Sequence, residues 1–316
     1  MICLCCGKPI KNKGAASCGW HHSCIKHFFG TTRLPEITIS NESLEWIANE
    51  TISKGYTVAG VQKKLSLHLS KEEKARLTLV GYPSGYILKP QTNEYRALPE
   101  AEQMIMCMAD AAGITTVPHG LIQSDGTYAY ITKRVDRMVL PDQSIRLLAM
   151  EDFCQLTYRL TNDKYQSSYE RCAKVIDRWS SQKGLDMAEF FIRIVFSFLV
   201  GNSDMHLKNF SLLETAPGSQ EFMLSPAYDM LPVNIVSNDT EETALALNDK
   251  KSNLRKKDFF ALAAACHLSS AAAEKMIGNL IKKVDVLISI AEHAEIPDDI
   301  RQACIALLIE RAAVFA

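Results

Sequence analysis

The chain has 316 residues, with 35 basic and 36 acidic side chains for a formal net charge of -1, and is 47% hydrophobic and 22% charged. This length supports one large or two modest domains, and the composition excludes a disordered chain. Near-neutral charge excludes a global field toward nucleic acid or an anionic membrane and leaves room only for a local basic patch; no direct nucleic-acid binding is expected.

The first 30 residues carry five of the ten cysteines and show no helical or strand period, so residues 1–30 read as a small appended module. Cys3, Cys6, His21 and Cys24 form a CxxC and HxxC set, two close pairs of N/S ligands that suit a structural, tetrahedral Zn²⁺. Cys5, Cys18 and His22 are alternative ligands, and a cluster of reduced thiols without metal is the competing reading. No apolar core of signal-peptide length directs export, so the chain is expected to be cytoplasmic. Cys107, Cys154, Cys172, Cys266 and Cys304 lie in apolar segments and read as buried free thiols.

Ser40 to Lys54 reads as a helix with Leu44, Ile47, Ala48 and Ile52 on one face, ended by Gly55. From Tyr56 to about Arg134 short β-branched and aromatic runs predict strands: YTVAGVQKKLSLHL, ARLTLV, GYILKP, GLIQ and TYAYITKRV. One helix interrupts them, Ala97 to Ala112, with Ala101, Met104, Ile105 and Met108 on one face. Beyond residue 144 the period predicts helices over Ile145–Tyr158, Ser168–Ser180, Met187–Val200, Lys256–Cys266, Ala271–Glu292 and Asp298–Phe315. The short strand-like pieces FSLL and EFML lie between the third and fourth of these. The longest apolar stretch, Phe190 to Val200, is interrupted by Arg193 and is far too short to span a bilayer. A strand-rich half followed by a helix-rich half predicts an α+β fold of two lobes, residues 31–136 and 137–316.

The segment GNSDMHLKNFSLL, residues 201–213, places a polar turn between a buried helix and a short strand. Asp204 and Asn209 have the D-x4-N spacing of kinase catalytic loops, where the aspartate faces the nucleophilic hydroxyl and the asparagine binds metal. That spacing arises by chance about once in a chain this long, and a polar turn capped by the two residues is the competing reading. Asp229, in LSPAYDML, supplies a second carboxylate, and Mg²⁺ takes hard oxygen ligands of this kind. Lys89 ends a predicted strand where a lysine can reach ATP phosphates, Glu102 on the next helix can hold it, and Glu100 is the reserve partner. TVAGVQKKLSL reads as strand, bend at Gly60 and strand, able to fold over a nucleotide. Each part also has an ordinary reading as a solvated charge or a turn cap. The joint order of loop, Lys, Glu, Asp, Asn and Asp is what those readings leave unexplained.

Together TVAGVQKKLSL, YILKP, LPEAEQMIMCMADAAGI, KRVDR, MEDFCQ, GNSDMHLKNFSLL and SPAYDMLP resemble the HipA family of bacterial serine/threonine kinases, the toxins of toxin-antitoxin modules. The resemblance runs from about residue 30 to the C-terminus. It implies a protein-kinase-like fold, ATP and Mg²⁺ as cofactors, Asp204 as catalytic aspartate, Asn209 and Asp229 as Mg²⁺ ligands and Lys89 as the phosphate lysine. It further implies nucleotide contacts from Val58, Ala59, Gly60, Val61, Gln62 and Lys63, from Glu102, and from His206 and Lys208. Ile131 to Asp136 then look like the hinge beside the adenine, with Lys133 and Val135 at positions usually acidic and aromatic in the family. Thr57 falls where the family carries an autophosphorylated serine. A phosphate there would add negative charge to a loop that closes over ATP, so inhibition is the expected sign. An ordinary strand threonine is the alternative.

Full-length family members have a β-type N-terminal subdomain that this chain is expected to lack. Shortened relatives, the HipT kinases, work beside a separate small protein resembling that piece. The resemblance therefore implies such a partner, an antitoxin with a helix-turn-helix DNA-binding domain, and a protein substrate, with an aminoacyl-tRNA synthetase as the leading identity. A catalytically inactive kinase-like scaffold that binds an antitoxin, and a kinase for a small molecule or lipid, are the alternatives.

Overall fold

A computed structural model describes residues 1–11, 18–36, 64–70, 75–78, 85–124, 126–139, 144–237 and 239–316. The expected helix from Ser40 and the loop residues Thr57, Val58, Ala59, Gly60, Val61, Gln62 and Lys63 lie outside the described residues. Two compact units are present, one of Met1–Met104, Val117–Arg134 and His293–Glu295, the other of Ile105–Thr116, Val135–Glu292 and Ile296–Ala316.

The first unit is built on an antiparallel sheet of β1 (Leu65–Ser70), β2 (Arg76–Thr78), β3 (Tyr86–Pro90), β4 (His119–Ser124) and β5 (Thr127–Lys133), in the order β2-β1-β3-β5-β4. Leu65 and Leu67 of β1, Leu88 of β3 and Ile131 of β5 bury one face of it. The cysteine-rich head is packed into this same core. Contrary to the expectation of no period there, His22–Phe29 forms helix α1, whose Ile25, Phe28 and Phe29 recur at helical spacing and are buried. Gly30, at φ 69°, ends it in the left-handed conformation.

An eight-residue helix is not stable alone, and its support here is tertiary. Trp20 meets Phe28 edge-on and Phe29 at a tilt, Phe28 and Phe29 meet edge-on, and both phenylalanines pack on Tyr86. At about 1.5–3 kcal/mol for each large apolar side chain buried, this cluster outweighs any helix propensity. Trp20 also donates its indole N–H to the Leu121 carbonyl at 2.8 Å, and the Leu121 N–H donates to Leu4 at 2.8 Å. Gly120 permits that approach, since a Cβ there would stand 2.5 Å from the Trp20 ring. Helix α2 (Leu98–Ala112) covers the expected span, and its Ala101, Glu102, Met104 and Ile105 are all fully withdrawn from water.

The second unit begins with the hairpin β6 (Arg137–Val139) and β7 (Ile145–Leu147) and continues through β8 (Met150–Asp152) and the single-turn α3 (Phe153–Leu156). The helix expected over Ile145–Tyr158 is therefore a correction. Met150, Glu151 and Asp152 pair with β9 (Ser211–Glu214), and a capping box between Asp152 and Gln155 starts the helix only at Phe153. Long-range strand pairing overrides local period at this point. β10 (Phe222–Leu224) completes a three-stranded antiparallel sheet.

Helices α4 (Tyr169–Trp179) and α5 (Lys183–Leu199) follow the expected order, α5 starting four residues before the expected Met187. Its first turn is anchored by buried Asp186, which accepts from the Ser180 hydroxyl at 2.6 Å and the Leu224 N–H at 2.7 Å. Arg193, the charge that breaks the apolar stretch, is wholly buried and bonds Glu189 and the Ser225 carbonyl at 3.1 Å each. It clasps α5 to the segment that leads to Asp229. After the one-turn α6 (Val233–Val236) come α7 (Lys256–Ala265), α8 (Ser270–Ile281), α9 (Val284–His293) and α10 (Asp298–Ala312). The single helix expected over Ala271–Glu292 is thus two, parted by a turn in which the Lys283 N–H donates to the Leu280 carbonyl at 2.9 Å, while the Lys283 ammonium donates to the Ala112 carbonyl at the end of α2, 2.7 Å away.

Candidate active site

In the first unit β3 lies between β1 and β5 and carries Lys89. The Lys89 ammonium meets Glu102 Oε1 of α2 at 2.5 Å, with the two residues 4% and 0% exposed. The same ammonium stands 5.2 Å from the centre of the Tyr130 ring. Withdrawing two charges from water costs several kcal/mol per ion, and only close pairing offsets it. Glu102 is therefore the partner; the reserve Glu100 is half-buried on the same helix, where burial pushes its carboxyl above the usual range. Adjacent Gln103 is held by His119 Nδ1 and by the Cys5 carbonyl, each at 2.8 Å, which fixes this turn of α2. Lys133 closes β5 opposite Tyr86, and both it and Val135 are half-buried.

In the second unit the polar turn follows α5 directly. Gly201 adopts φ 73°, and a Cβ there would stand 2.6 Å from Leu307, so the reversal out of the helix needs glycine. The loop then closes on itself. The Asp204 carbonyl accepts from the His206 N–H and from the Asn209 side-chain amide, both at 2.8 Å, and the Asn209 N–H donates to the His206 carbonyl at 2.9 Å. The Asp204 carboxylate accepts the Tyr165 hydroxyl on Oδ1 at 2.5 Å. Tyr169 donates to the Met205 carbonyl at 3.1 Å, pinning the centre of the loop from below.

Asp229 is brought to this loop by its neighbour. The Tyr228 hydroxyl reaches the Lys208 carbonyl at 3.1 Å and the Ser211 hydroxyl at 2.6 Å, on either side of Asn209. Asp229 itself sits at φ 59°, a left-handed conformation that Asp tolerates better than most residues and that concentrates at functional sites. Its carboxylate and that of Asp204 both act on the buried His206 ring. Burial dominates there and holds the imidazole below its ordinary range, so His206 is neutral near pH 7. Because Asn209 commits its amide N–H to Asp204, its Oδ1 is the atom it could offer a metal. With the Asp229 carboxylate it offers the hard oxygen donors that Mg²⁺ takes. Lys208 pairs with Asp152 at 2.6 Å, tying the loop to β8.

The lowered His206 pKa has a consequence for stability. An unfolded chain takes a proton on this residue as pH falls past about 6.5, whereas the folded chain resists until lower pH. Stability is lost as pH falls through that window. We expect His206→Gln to flatten the fall in melting temperature between about pH 7 and about pH 5, read by thermal unfolding of both proteins at each pH.

The head of the first unit brings Cys3, Cys6, His21 and Cys24 together, with their ligand atoms all within 4.8 Å of one another. His21 Nδ1 stands 3.4 Å from the Cys6 sulfur and 3.8 Å from the Cys24 sulfur. Zinc bonds of about 2.0 and 2.3 Å arranged tetrahedrally require N to S separations of about 3.6 Å, so the set fits that ion. The other ring nitrogen, Nε2, lies 3.2 Å from the Pro9 carbonyl, and as donor to that oxygen it leaves Nδ1 free of its proton for a metal. Cys5, Cys18 and His22 stand outside the cluster.

Sequence reasoning missed Tyr165, Tyr228 and Asp152, all of which touch the loop. Tyr228 could have been suspected as the residue beside Asp229. Tyr165 and Asp152 lie 39 and 56 residues from their partners and carry no local signal.

Among the described residues no helix is long and apolar enough to cross a membrane. "Putative kinase Y4dM" of Sinorhizobium fredii is 32% identical over 232 residues, covering 68% of this chain and 54% of that protein. "Serine/threonine-protein kinase toxin HipA" of Shewanella oneidensis is 24% identical over 212 residues, covering 61% of this chain and 47% of that protein. The chain thus spans about half the length of these curated relatives. The solved Shewanella oneidensis complex of HipA, HipB and operator DNA contains a chain that superposes with a TM-score of 0.69 at 19% identity, covering 88% of this chain and 72% of that one. That likeness establishes an α+β fold of protein-kinase type. The HipA-like C-terminal domain model matches residues 56–288, and the chain belongs to that family.

Proposed function

We propose that this chain is an ATP-dependent serine/threonine protein kinase that acts as the toxin of a bacterial toxin-antitoxin module in the cytoplasm. The observation that carries the reading is the Lys89–Glu102 pair, sequestered from water at 2.5 Å. A buried ion pair of this kind contributes little to stability that apolar residues would not, whereas a kinase needs a lysine fixed by a glutamate to hold nucleotide phosphates.

In this reading Asp204 orients the acceptor hydroxyl and takes its proton as oxygen bonds to the γ-phosphorus and the bond to ADP breaks. Asn209 and Asp229 would hold Mg²⁺, which when bound would neutralise charge on the phosphates. The transition state is loose, so position and charge carry the catalysis. The loop from Val58 to Lys63 covers the nucleotide, Lys133 and Val135 flank its base, and His206 and Lys208 support the phosphate side. Thr57 is the autophosphorylation site, with inhibition as its effect.

By analogy with the relative solved with HipB and operator DNA, the partner is an antitoxin with a helix-turn-helix domain. A separate small protein resembling the family's N-terminal subdomain is a further partner, and the substrate is an aminoacyl-tRNA synthetase. Calorimetry of ATP binding with and without Mg²⁺ tests the nucleotide site, and affinity indifferent to the metal would sink it. Phosphoproteomics after induction tests the acceptor: new phosphoserine or phosphothreonine sites should appear, and their absence, or label confined to metabolites, overturns the protein-kinase reading.

The cysteine and histidine set holds a structural Zn²⁺ in the same proposal. Purified under reducing conditions, the protein should carry about one zinc per chain, and Cys24→Ser should lose it along with several degrees of melting temperature. A metal-free wild type with unchanged melting in chelator would remove zinc from the account.

A further inference from the structure

Among the described residues outside the motif, one side chain donates to the carboxylate on which the proposed chemistry turns. We propose that Tyr165 is a positioning residue for Asp204, holding Oδ1 so that Oδ2 is presented to the acceptor hydroxyl; this rests on the kinase reading above.

The geometry divides the two oxygens. Oδ1 accepts the Tyr165 hydroxyl at 2.5 Å. Oδ2 lies 4.0 Å from His206 Nε2, beyond hydrogen-bond range, and the Asn209 amide goes to the main-chain oxygen of Asp204 instead of its carboxylate. Among the described residues Tyr165 is thus the one side-chain donor on the carboxylate. The Asp204 side chain is 41% exposed, so an incoming alcohol can reach Oδ2. A carboxylate on one rotatable bond beside water would otherwise sample several orientations, and a phenolic donor selects one without neutralising the charge that must receive the proton.

Tyr165 is itself fixed to the loop it serves. Its ring meets His206 edge-on, with centroids 5.1 Å apart at 73°. The Lys164 ammonium stands 4.8 Å from the ring centre, and the Lys164 carbonyl accepts the Leu207 N–H at 3.2 Å. The turn Thr161–Asp163 and the two residues after it are therefore joined to the catalytic loop through main chain, ring and hydroxyl together. Packing alone would be served as well by phenylalanine, which lacks the hydroxyl; the 2.5 Å bond is what needs tyrosine.

The test compares the full-length wild type with Tyr165→Phe, which keeps the ring on His206, and with Tyr165→Ala, which removes it. Transfer of labelled γ-phosphate to the chain itself and to dephosphorylated casein is measured alongside KM for MgATP and melting temperature. We expect Tyr165→Phe to lower kcat about 10- to 100-fold with KM for ATP and melting unchanged. Tyr165→Ala should show at least the same loss in kcat with added destabilisation. A wild-type kcat in Tyr165→Phe overturns the proposal and leaves the kinase reading standing. A fall in kcat that tracks raised KM or lowered melting overturns it too, as the mark of a merely structural role. So does phosphate found on Tyr165 by peptide mapping, which would make it an acceptor. A wild type that binds MgATP but transfers no label to either acceptor removes the kinase reading and this assignment together.

Discussion

Asp204→Asn should abolish phosphate transfer, by about 10³-fold or more, in a protein that stays folded. Asparagine has nearly the same shape, its Oδ1 still accepts the Tyr165 hydroxyl, and the main-chain bonds from His206 and Asn209 to residue 204 are untouched. Only the negative charge and the capacity to receive a proton are lost. Because the Asp204 side chain is 41% exposed, removing its charge neither relieves nor creates a large desolvation cost. Melting should therefore move by no more than about 2 °C, while transfer of labelled γ-phosphate disappears. Asp229→Asn should give a comparable loss through the metal side, since an amide is a weaker Mg²⁺ ligand than a carboxylate. Normal autophosphorylation by either purified variant would refute the assignment.

Glu102→Ala should cost about 3–5 kcal/mol in urea unfolding, the largest stability effect expected of any single substitution at the site. The reason is asymmetry. Lys89 is 4% exposed and would keep its ammonium buried beside the Tyr130 ring with the Glu102 carboxylate gone. The double variant Lys89→Met with Glu102→Leu separates stability from function, because replacing both charges by apolar groups of similar volume removes the desolvation cost along with the attraction. It should recover most of the lost stability and still fail to transfer phosphate. Equal instability in the single and double variants would show that packing, not the ion pair, decides the matter. Recovery of transfer in the double variant would remove Lys89 from the nucleotide site.

The three residues of the proposed metal and acceptor site were readable because their spacing is local. Asp204 and Asn209 sit on one short turn, joined by a 2.8 Å bond from side chain to main chain, and Asp229 follows just past the one hairpin after it. The Lys89–Glu102 pair was readable as a strand end followed by a helix. Its choice over Glu100 was not, since neighbouring glutamates on one helix differ only in which face the sheet covers. The donor on Asp204 left no trace in the sequence at all.

What the sequence determined by itself was the helices α2, α4, α5, α7 and α10 from their apolar period, the α+β division, and the order of the charged groups. What only the tertiary structure decided was which of two local options won. Residues 150–152 became a strand because β9 supplied hydrogen-bond partners, and the cysteine-rich head gained a helix because the sheet offered Trp20 and Phe28 an apolar face. Local period is encoded in side chains three and four apart. Strand pairing and the approach of Tyr165 to Asp204 join residues tens of positions distant, and only the folded chain brings them within bonding range.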